Sequence, residues 1–200
     1  EKFTNKYLLY PPLFKTKNKK NDSLLVSESK FDLLNVSSFD WPPNKAGMQW
    51  FVDKVVPLLD TKITIELIGN QSEMFSSIAQ INVNGYVDDI DLFYRKGKIF
   101  IAPIVYGAGI KIKIIEAMMN KIPVITTSIG VEGLEGIVNG KHIIIKDTPY
   151  EMAKAIKDLL NNDSLRQSLA QDALIWVEEN LSSEKWLEQT NDIIKEAIGK

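Results

Sequence analysis

Cysteine is absent from this chain of 200 residues, histidine occurs once, and the 24 basic residues are almost all lysines. Without cysteine, disulfides and thiolate-bound metal ions are excluded, and the composition fits a reducing compartment. No apolar run approaches the roughly 20 residues of a membrane-spanning helix, and no signal peptide is recognisable. We therefore expect a cytoplasmic location, with membrane association only through segments absent from this chain.

An excess of charge of one sign is also missing. The formal net charge is −2, with 24 basic and 26 acidic residues, so the composition gives no electrostatic case for nucleic acid or an anionic membrane. Apolar residues make up 44% and charged residues 25% of the chain, which is typical of a globular domain long enough to bury a core. We expect no nucleic-acid partner.

From Phe31 onward, the sequence alternates strand patterns with helix patterns. Several strand segments are apolar on both faces, which is typical of a parallel sheet covered on both sides by helices. Predicted strands lie at 32–38, 62–70, 81–87, 98–103, 123–127 and 142–147, and predicted helices at 44–59, 73–79, 88–94, 110–119, 148–160, 163–180 and 182–198. The predicted fold class is α/β, a doubly wound, Rossmann-like sheet with ligands at the carboxyl ends of its strands.

Local signals refine these boundaries. Asn44 follows a Pro-Pro turn and can cap the first long helix, and Thr148 with Glu151 forms a capping-box pattern at a later helix. The apolar stretch at 8–14 is broken by two prolines and followed by a lysine-rich, solvated segment. We therefore predict a lead-in over residues 1–30, the α/β domain over 31–182 and a final helix over 183–200.

Residues 107–118, GAGIKIKIIEAM, combine two conflicting patterns. Apolar and basic residues alternate with the period of a strand, yet two glycines precede them and helix formers follow. Parallel strands need a crossover of a dozen or more residues, usually helical, and this segment is the only chain between the strands at 98–103 and 123–127. The segment is therefore predicted to be a helix over 110–119.

A helix that begins directly after a strand presents free N–H groups to an anion. Gly107 and Gly109 would let the backbone approach a phosphate, and Lys111 and Lys113 would add positive charge. Glu116 would follow on the Lys113 face and could accept hydrogen bonds from sugar hydroxyls. The alternative is a glycine turn without a ligand, with an exposed Lys113–Glu116 ion pair; these residues alone leave both open.

The longer stretch GAGIKIKIIEAMMNKIPVITTSIGVEGL (107–134) resembles the donor-binding half of GT-B glycosyltransferases of family four, also called group 1. The matching pattern is G-x-G-x-x-x-K-x-x-E-A-M, then P-V-I-x-T, then G-x-E-G-L. Residues 36–59, 67–70 and 83–94 and the helices after 148 resemble further parts of that domain in the same order. The resemblance covers residues 31–198, so the chain looks like one half of a GT-B architecture.

The resemblance implies that the chain binds a nucleotide diphosphate sugar, UDP- or GDP-linked, for retaining sugar transfer without a metal or other cofactor. Family members of this kind serve cell-surface polysaccharide biosynthesis. The implied roles are diphosphate binding by Gly107, Gly109, Ile110, Lys111 and Lys113, ribose binding by Glu116, base binding by Tyr86 and Val87, and a cleft-facing loop at Ser38 and Phe39. No residue is assigned to catalysis.

Two departures from the family pattern concern charge. Ala108 occupies the position where many members carry a glutamate that contacts the donor sugar, and no arginine follows the first strand, where Lys45 is the remaining candidate.

Glu132 is predicted to anchor the loop after the strand at 123–127. Tyr86 can either stack on the base or cover the sheet edge.

The amino-terminal, acceptor-binding half has no counterpart here. Residues 10–14 look like the linker between the halves, and the last helix, with Trp186 and Ile194, resembles the helix that crosses back to the other half. The expectation is a fragment of a larger enzyme that is not active alone. Ala108 motivates a non-catalytic binding module as one alternative, and a nucleotide-sugar epimerase of the same fold is another.

Overall fold

The computed structural model describes residues 30–181, 187, 190–192 and 194–195. The predicted lead-in over 1–30 lies almost wholly outside this range, as does most of the predicted final helix with its Trp186. Among the described residues, no helix is long and apolar enough to cross a membrane.

Six parallel strands form one sheet, which confirms the doubly wound α/β class. The strands are β1 (Phe31–Val36), β2 (Ile65–Ile68), β3 (Ile81–Asn84), β4 (Gly97–Ala102), β5 (Val124–Thr126) and β6 (Ile144–Ile145). Their order across the sheet is β3-β2-β1-β4-β5-β6. The winding direction reverses between β1 and β4, and in such sheets the crevice beyond the carboxyl ends at that point is where ligands bind.

Helices cover both faces of the sheet. They are α1 (Pro42–Trp50), α2 (Asp91–Tyr94), α3 (Ile112–Met119), α4 (Pro149–Leu160) and α5 (Asp163–Leu181), with a π-type turn at Phe51–Val55 and 3-10 turns at Val56–Leu58, Ser72–Phe75 and Ser128–Val131. The predicted helix at 73–79 is therefore only a short 3-10 turn. Thr148 caps α4 as predicted, since its hydroxyl oxygen accepts the Glu151 N–H at 3.3 Å.

Two separate apolar cores lie on the two faces, because successive side chains of a strand point to opposite sides. Leu33 of β1 belongs to the core beneath α1 and α4, whereas Leu34 belongs to the core beneath α3 and α5. Both side chains are fully buried. This two-sided burial explains why several strand segments, such as residues 99–102, are apolar at consecutive positions.

The helix predicted over 110–119 begins two residues later, at Ile112. Gly109 has a φ of +80° and Lys111 is extended, with φ −90° and ψ 90°. A left-handed residue followed by an extended one cannot belong to an α-helix. Ile110 is therefore part of the loop that leads into α3.

Two threonines at the end of β5 fix the loops at the carboxyl edge. The Thr126 hydroxyl donates to the Ala102 carbonyl at 2.6 Å, and the Thr127 hydroxyl donates to the Ile104 carbonyl at 2.5 Å. A Cβ at Gly130 would lie 1.9 Å from the Thr126 Oγ1 atom, so only glycine fits there. These hydrogen bonds therefore fix the chain that follows β4 against the end of β5.

The opposite, amino-terminal edge carries a polar cluster of its own. Asp32 at the start of β1 accepts hydrogen bonds from the Thr64 backbone N–H at 3.1 Å and from the Lys98 ammonium at 2.8 Å. Burial raises the pKa of Asp32, but the Lys98 and Thr64 hydrogen bonds and the Lys98 charge outweigh it and lower the pKa below its usual value. The cluster joins the beginnings of β1 and β4 and the residue preceding β2.

Candidate functional site

A cavity of about 580 Å³ opens at the carboxyl edge of the sheet, at the point where the winding reverses. Its walls are the chain segments that follow β1, β2, β3 and β4, together with the first turn of α3. Lys111 and Lys113 line it, and none of the lining residues is an aspartate or a glutamate. The charged groups in its wall therefore favour a negatively charged ligand.

Lys113 provides a half-buried charge in the wall of this cavity. Its ammonium donates to the Ser37 hydroxyl at 2.9 Å and to the Asn44 side-chain oxygen at 2.8 Å. Burial lowers the pKa of Lys113 from 10.5 to about 7, because a charged amine is poorly solvated away from water. In the described part of the chain no carboxylate forms an ion pair with it, so the exposed Lys113–Glu116 ion pair considered from the sequence is not formed, and the lysine is half-buried with neutral partners.

Lys111 differs from Lys113 because it has an acidic partner. Its ammonium lies 3.3 Å from a carboxylate oxygen of Glu132, and its side chain is only 9% exposed. Glu132 belongs to the loop after β5, so this ion pair ties that loop to the residue preceding α3. The contact is compatible with the predicted anchoring role of Glu132, and it largely balances the charge of Lys111.

The amino terminus of α3 contributes polar donors to the cavity wall. No side chain caps this helix at Lys111, and the Ile114 N–H bonds the Lys111 carbonyl at 2.9 Å. The N–H groups of Ile112 and Lys113 have no backbone acceptor among the described residues. Donors of this kind, at the positive end of a helix dipole, bind anions.

The glycines predicted to approach a phosphate lie in the loop between β4 and α3. Gly107 has a φ of +126° and lines the cavity, whereas Gly109, with its φ of +80°, does not. Both backbone conformations strongly favour glycine. Ile110 and Ala108, on either side of Gly109, also line the cavity.

The loops after β1 and β3 hold four residues with predicted site roles. Tyr86, which is 79% exposed, and Val87, the two residues predicted for the base, line the cavity, and Ser38 lines it as well. Phe39 does not, because its ring is 1% exposed and packs edge-on against Phe75 at 5.3 Å between centroids. The prediction that Phe39 faces the cleft is wrong, since the apolar ring is better buried in the core.

Glu116 lies one turn beyond Lys113 on α3 and is half-buried, but it is not part of the cavity lining. Its charge reaches the buried Tyr94 hydroxyl, whose pKa is raised by burial first and then by the charges of Glu116 and Asp91. The Tyr94 hydroxyl has no hydrogen-bond partner among the described residues. Glu116 thus stands beside the cavity, not within its wall.

The sequence interpretation missed Asn44, which was predicted to cap α1. The helix instead begins at Pro42 with Trp41 at the cap position, because proline suits a first helical position, where its missing N–H costs nothing. Asn44 is thereby free to bond Lys113 and to donate to the Ser38 carbonyl at 2.9 Å. Neighbouring Lys45 is exposed and does not line the cavity, so it is a poor substitute for the missing arginine.

Two aromatic residues at the cavity, Trp41 and Tyr106, were not predicted as site residues. Trp41 is 63% and Tyr106 is 47% exposed, and both lie in the lining. The signal available in the sequence was the presence of large aromatic residues in segments without a strand or helix pattern. Among the described residues, no group of three or more His, Cys, Asp or Glu side chains is placed to hold a metal ion.

The fold and the position of this cavity define a class: Rossmann-like domains, in which ligands bind where the strand order reverses. Residues 30–162 match the family model described as glycosyl transferases group 1. The chain belongs to that family.

Curated relatives extend beyond the chain. It is 32% identical over 178 residues to an "Uncharacterized 44.6 kDa protein in cps region" of Klebsiella pneumoniae, covering 78% of this chain and 45% of that protein. It is 31% identical over 121 residues to the "Capsular polysaccharide biosynthesis glycosyltransferase CapM" of Staphylococcus aureus, covering 58% of this chain and 31% of CapM. The chain thus spans less than half the length of these relatives.

A solved structure shows the same fold. A variant of S. aureus TarM, crystallised in complex with fondaparinux, α-GlcNAc-glycerol and UDP, superposes with a TM-score of 0.73 at 19% identity. The match covers 90% of this chain and 38% of the TarM chain. TarM is one of the GT-B glycosyltransferases, so the described domain has the architecture of one half of such an enzyme.

Proposed function

We propose that this chain is the donor-binding half of a retaining glycosyltransferase, which binds a nucleotide diphosphate sugar in the cavity between β1 and β4. The observation that carries the proposal is the Lys113 ammonium, half-buried in the cavity wall with only neutral partners among the described residues. A partly buried charge without a counter-ion is costly. A diphosphate would supply that counter-ion.

In this proposal the diphosphate binds at the start of α3. The N–H groups of Ile112 and Lys113 and the backbone around Gly107 would surround its oxygens, and the Lys113 ammonium would provide the full charge. As the bond between sugar and diphosphate breaks, negative charge grows on the leaving oxygen. Donors already fixed at that place stabilise the transition state more than the ground state.

The remaining nucleotide contacts follow the family resemblance. Glu116 would accept hydrogen bonds from the ribose hydroxyls, which requires its carboxylate to reach from α3 to the edge of the cavity. The base would rest near Tyr86 and Val87, which line the cavity next to the ends of β2 and β3. UDP bound to TarM favours UDP as the first nucleotide to test.

The sugar and the acceptor belong to the other side of the cavity. Ala108 offers no polar group to a donor sugar, so we propose that sugar contacts come from backbone groups and from a second domain. The same domain would hold the acceptor, and the chain alone would bind a nucleotide without transferring sugar. The composition and the relatives named above support a cytoplasmic role in capsular or other cell-surface polysaccharide synthesis.

Titration calorimetry with UDP and GDP tests the proposal on the wild-type chain and on Lys113→Met and Glu116→Ala. One nucleotide should bind to the wild type, and each substitution should weaken it by about tenfold or more, because a hydrogen bond to a charged group contributes roughly 1.5–3 kcal/mol. Lys98→Met, at the opposite edge of the sheet, serves as the matched lysine control and should bind like the wild type.

Absence of binding at millimolar concentrations of either nucleotide would contradict the proposed function of the isolated chain. Binding that survives both substitutions unchanged would contradict the residue roles and place the nucleotide elsewhere. Release of free sugar or an epimerised product from a nucleotide sugar would favour the epimerase alternative.

A further inference from the structure

Asn44 connects three parts of the cavity wall through its side chain. Its oxygen accepts from the Lys113 ammonium at 2.8 Å, and its nitrogen donates to the Ser38 carbonyl at 2.9 Å. The Asn44 backbone N–H bonds the Trp41 carbonyl at 3.0 Å, which fixes the residue in the first turn of α1. The loop after β1, the start of α1 and the start of α3 therefore meet at one amide group.

The orientation of the Asn44 amide determines how many N–H groups of Lys113 remain available and whether its charge is balanced. Because the amide nitrogen is used by Ser38, the oxygen faces the lysine. An ammonium has three N–H donors, and two of them are taken by Ser37 and Asn44. The third has no partner among the described residues. Both acceptors are neutral, so they orient the ammonium while leaving its charge uncompensated.

A carboxylate in place of Asn44 would still accept from the lysine, but it would lose the hydrogen bond to the Ser38 carbonyl and would cancel the charge of the lysine. Lys111 shows that outcome in the same wall, where Glu132 is its partner at 3.3 Å. We infer that Asn44 is a positioning residue, whose amide oxygen fixes the Lys113 ammonium and leaves one N–H and the full charge to the donor diphosphate. This inference rests on the proposed nucleotide-sugar function.

The test compares Asn44→Ala with Asn44→Asp, and uses Asn161→Ala as the matched control. The Asn161 side chain donates to the Lys157 carbonyl at 2.9 Å, at the end of α4, and Asn161 does not line the cavity. The first measurement is the NMR titration of the Lys113 side chain in the ligand-free protein, with its signal assigned by its loss in Lys113→Met. Asn44→Ala should lower the pKa of Lys113 and Asn44→Asp should raise it, whereas Asn161→Ala should leave it unchanged.

The second measurement is the affinity for UDP and for uridine, or for GDP and guanosine if the protein selects GDP. Asn44→Ala should weaken diphosphate binding about tenfold, which is about 1.4 kcal/mol, and Asn44→Asp should weaken it further by repulsion. Nucleoside binding should not change, because the nucleoside lacks the diphosphate. A purely structural role would instead weaken nucleotide and nucleoside together.

Two results would overturn the inference. One is a Lys113 pKa that is identical in wild type, Asn44→Ala and Asn44→Asp. The other is an equal loss of diphosphate and nucleoside affinity. If neither nucleotide binds the wild type, the proposed function fails, and the ligand-free titration still decides whether Asn44 positions Lys113. If Asn44→Ala does not fold, Asn44→Asp, which keeps the side-chain shape, gives both readouts.

Discussion

Lysines lie at both edges of the sheet, and their partners differ in charge. At the amino-terminal edge, the Lys98 ammonium lies 2.8 Å from a carboxylate oxygen of Asp32. At the carboxyl edge, the Lys113 ammonium lies at the same distance of 2.8 Å from the Asn44 amide oxygen. The geometry is alike, but the first lysine is neutralised by its partner and the second is not.

We therefore expect the charges at the amino-terminal edge to contribute to stability and the charge at the carboxyl edge to contribute to ligand binding. The ion pair lowers the pKa of Asp32 despite its partial burial, and this ties together strands that start at the same edge. Burial with neutral partners lowers the pKa of Lys113 to about 7, which makes its charge a cost to the unliganded fold. A cost of this kind is removed when an anion binds, so it adds to the preference for a charged ligand.

The pH dependence of nucleotide affinity gives the largest expected effect. The diphosphate favours the protonated lysine, so above about pH 7, where the free protein loses that proton, UDP binding should weaken by up to about tenfold per pH unit. Calorimetry over a pH series measures this, and Lys113→Met should flatten the dependence. A wild-type affinity that is constant from neutral to alkaline pH would contradict the assignment.

Replacement of Lys113 should stabilise the protein. Between pH 7 and 10.5 the unfolded chain binds a proton at this lysine that the folded chain has released, so the unfolding free energy of the wild type rises with pH in that window. Lys113→Met should therefore gain about 1–3 kcal/mol at neutral pH, with a smaller gain near the upper limit. Denaturant unfolding at two pH values measures the difference, and a destabilised variant would refute the comparison.

Replacement of Asp32 should have the opposite sign. Its folded-state pKa is lowered, so its contribution is present above the unfolded-state pKa and is lost as the pH falls through the folded-state pKa. Because Asp32 is partly exposed, Asp32→Asn should cost only about 1 kcal/mol at neutral pH. Unfolding curves of variant and wild type should converge once the pH falls below the folded-state pKa of Asp32, and a difference that persists there would point to lost hydrogen bonds instead of charge.

Replacement of Lys98 should have the smallest effect. Its side chain is 35% exposed, and exposed ion pairs contribute at most about 1 kcal/mol. Lys98→Met should lower the unfolding free energy by less than Asp32→Asn does, since Asp32 keeps its Thr64 hydrogen bonds. Nucleotide affinity measured on the same variant should equal that of the wild type; a weaker affinity would show that the two edges are not independent.

The fold could be predicted because local patterns and global topology agree. Residues 99–103 are continuously apolar, as a strand covered on both faces must be, and the observed β4 is buried at Ile99 and Phe100 alike. The start of α3 was harder, because the alternation at 110–114 carries no information on φ. The left-handed Gly109 and the extended Lys111 set that boundary. In the sequence, a glycine shows only that a positive φ is permitted, not that it occurs.

The cavity residues could be predicted only as far as they lie in one segment. Gly107 and Lys113 were found from local spacing and resemblance, and both line the cavity. The difference between Lys111 and Lys113 depends on Glu132 and Asn44, which are 21 and 69 residues away from their respective partners. Such pairings follow from tertiary packing, so both lysines were predicted alike to bind the diphosphate.

The loop at Ala108 has a consequence for substitutions in the cavity wall. Ala108 is exposed, lies in the cavity lining, and is flanked by Gly107 and Gly109 with positive φ. The backbone there is shaped by its glycines, not by packing of the intervening side chain. The side chain at position 108 can therefore be exchanged at little cost to the fold, so the lining of the cavity can be altered there independently of folding.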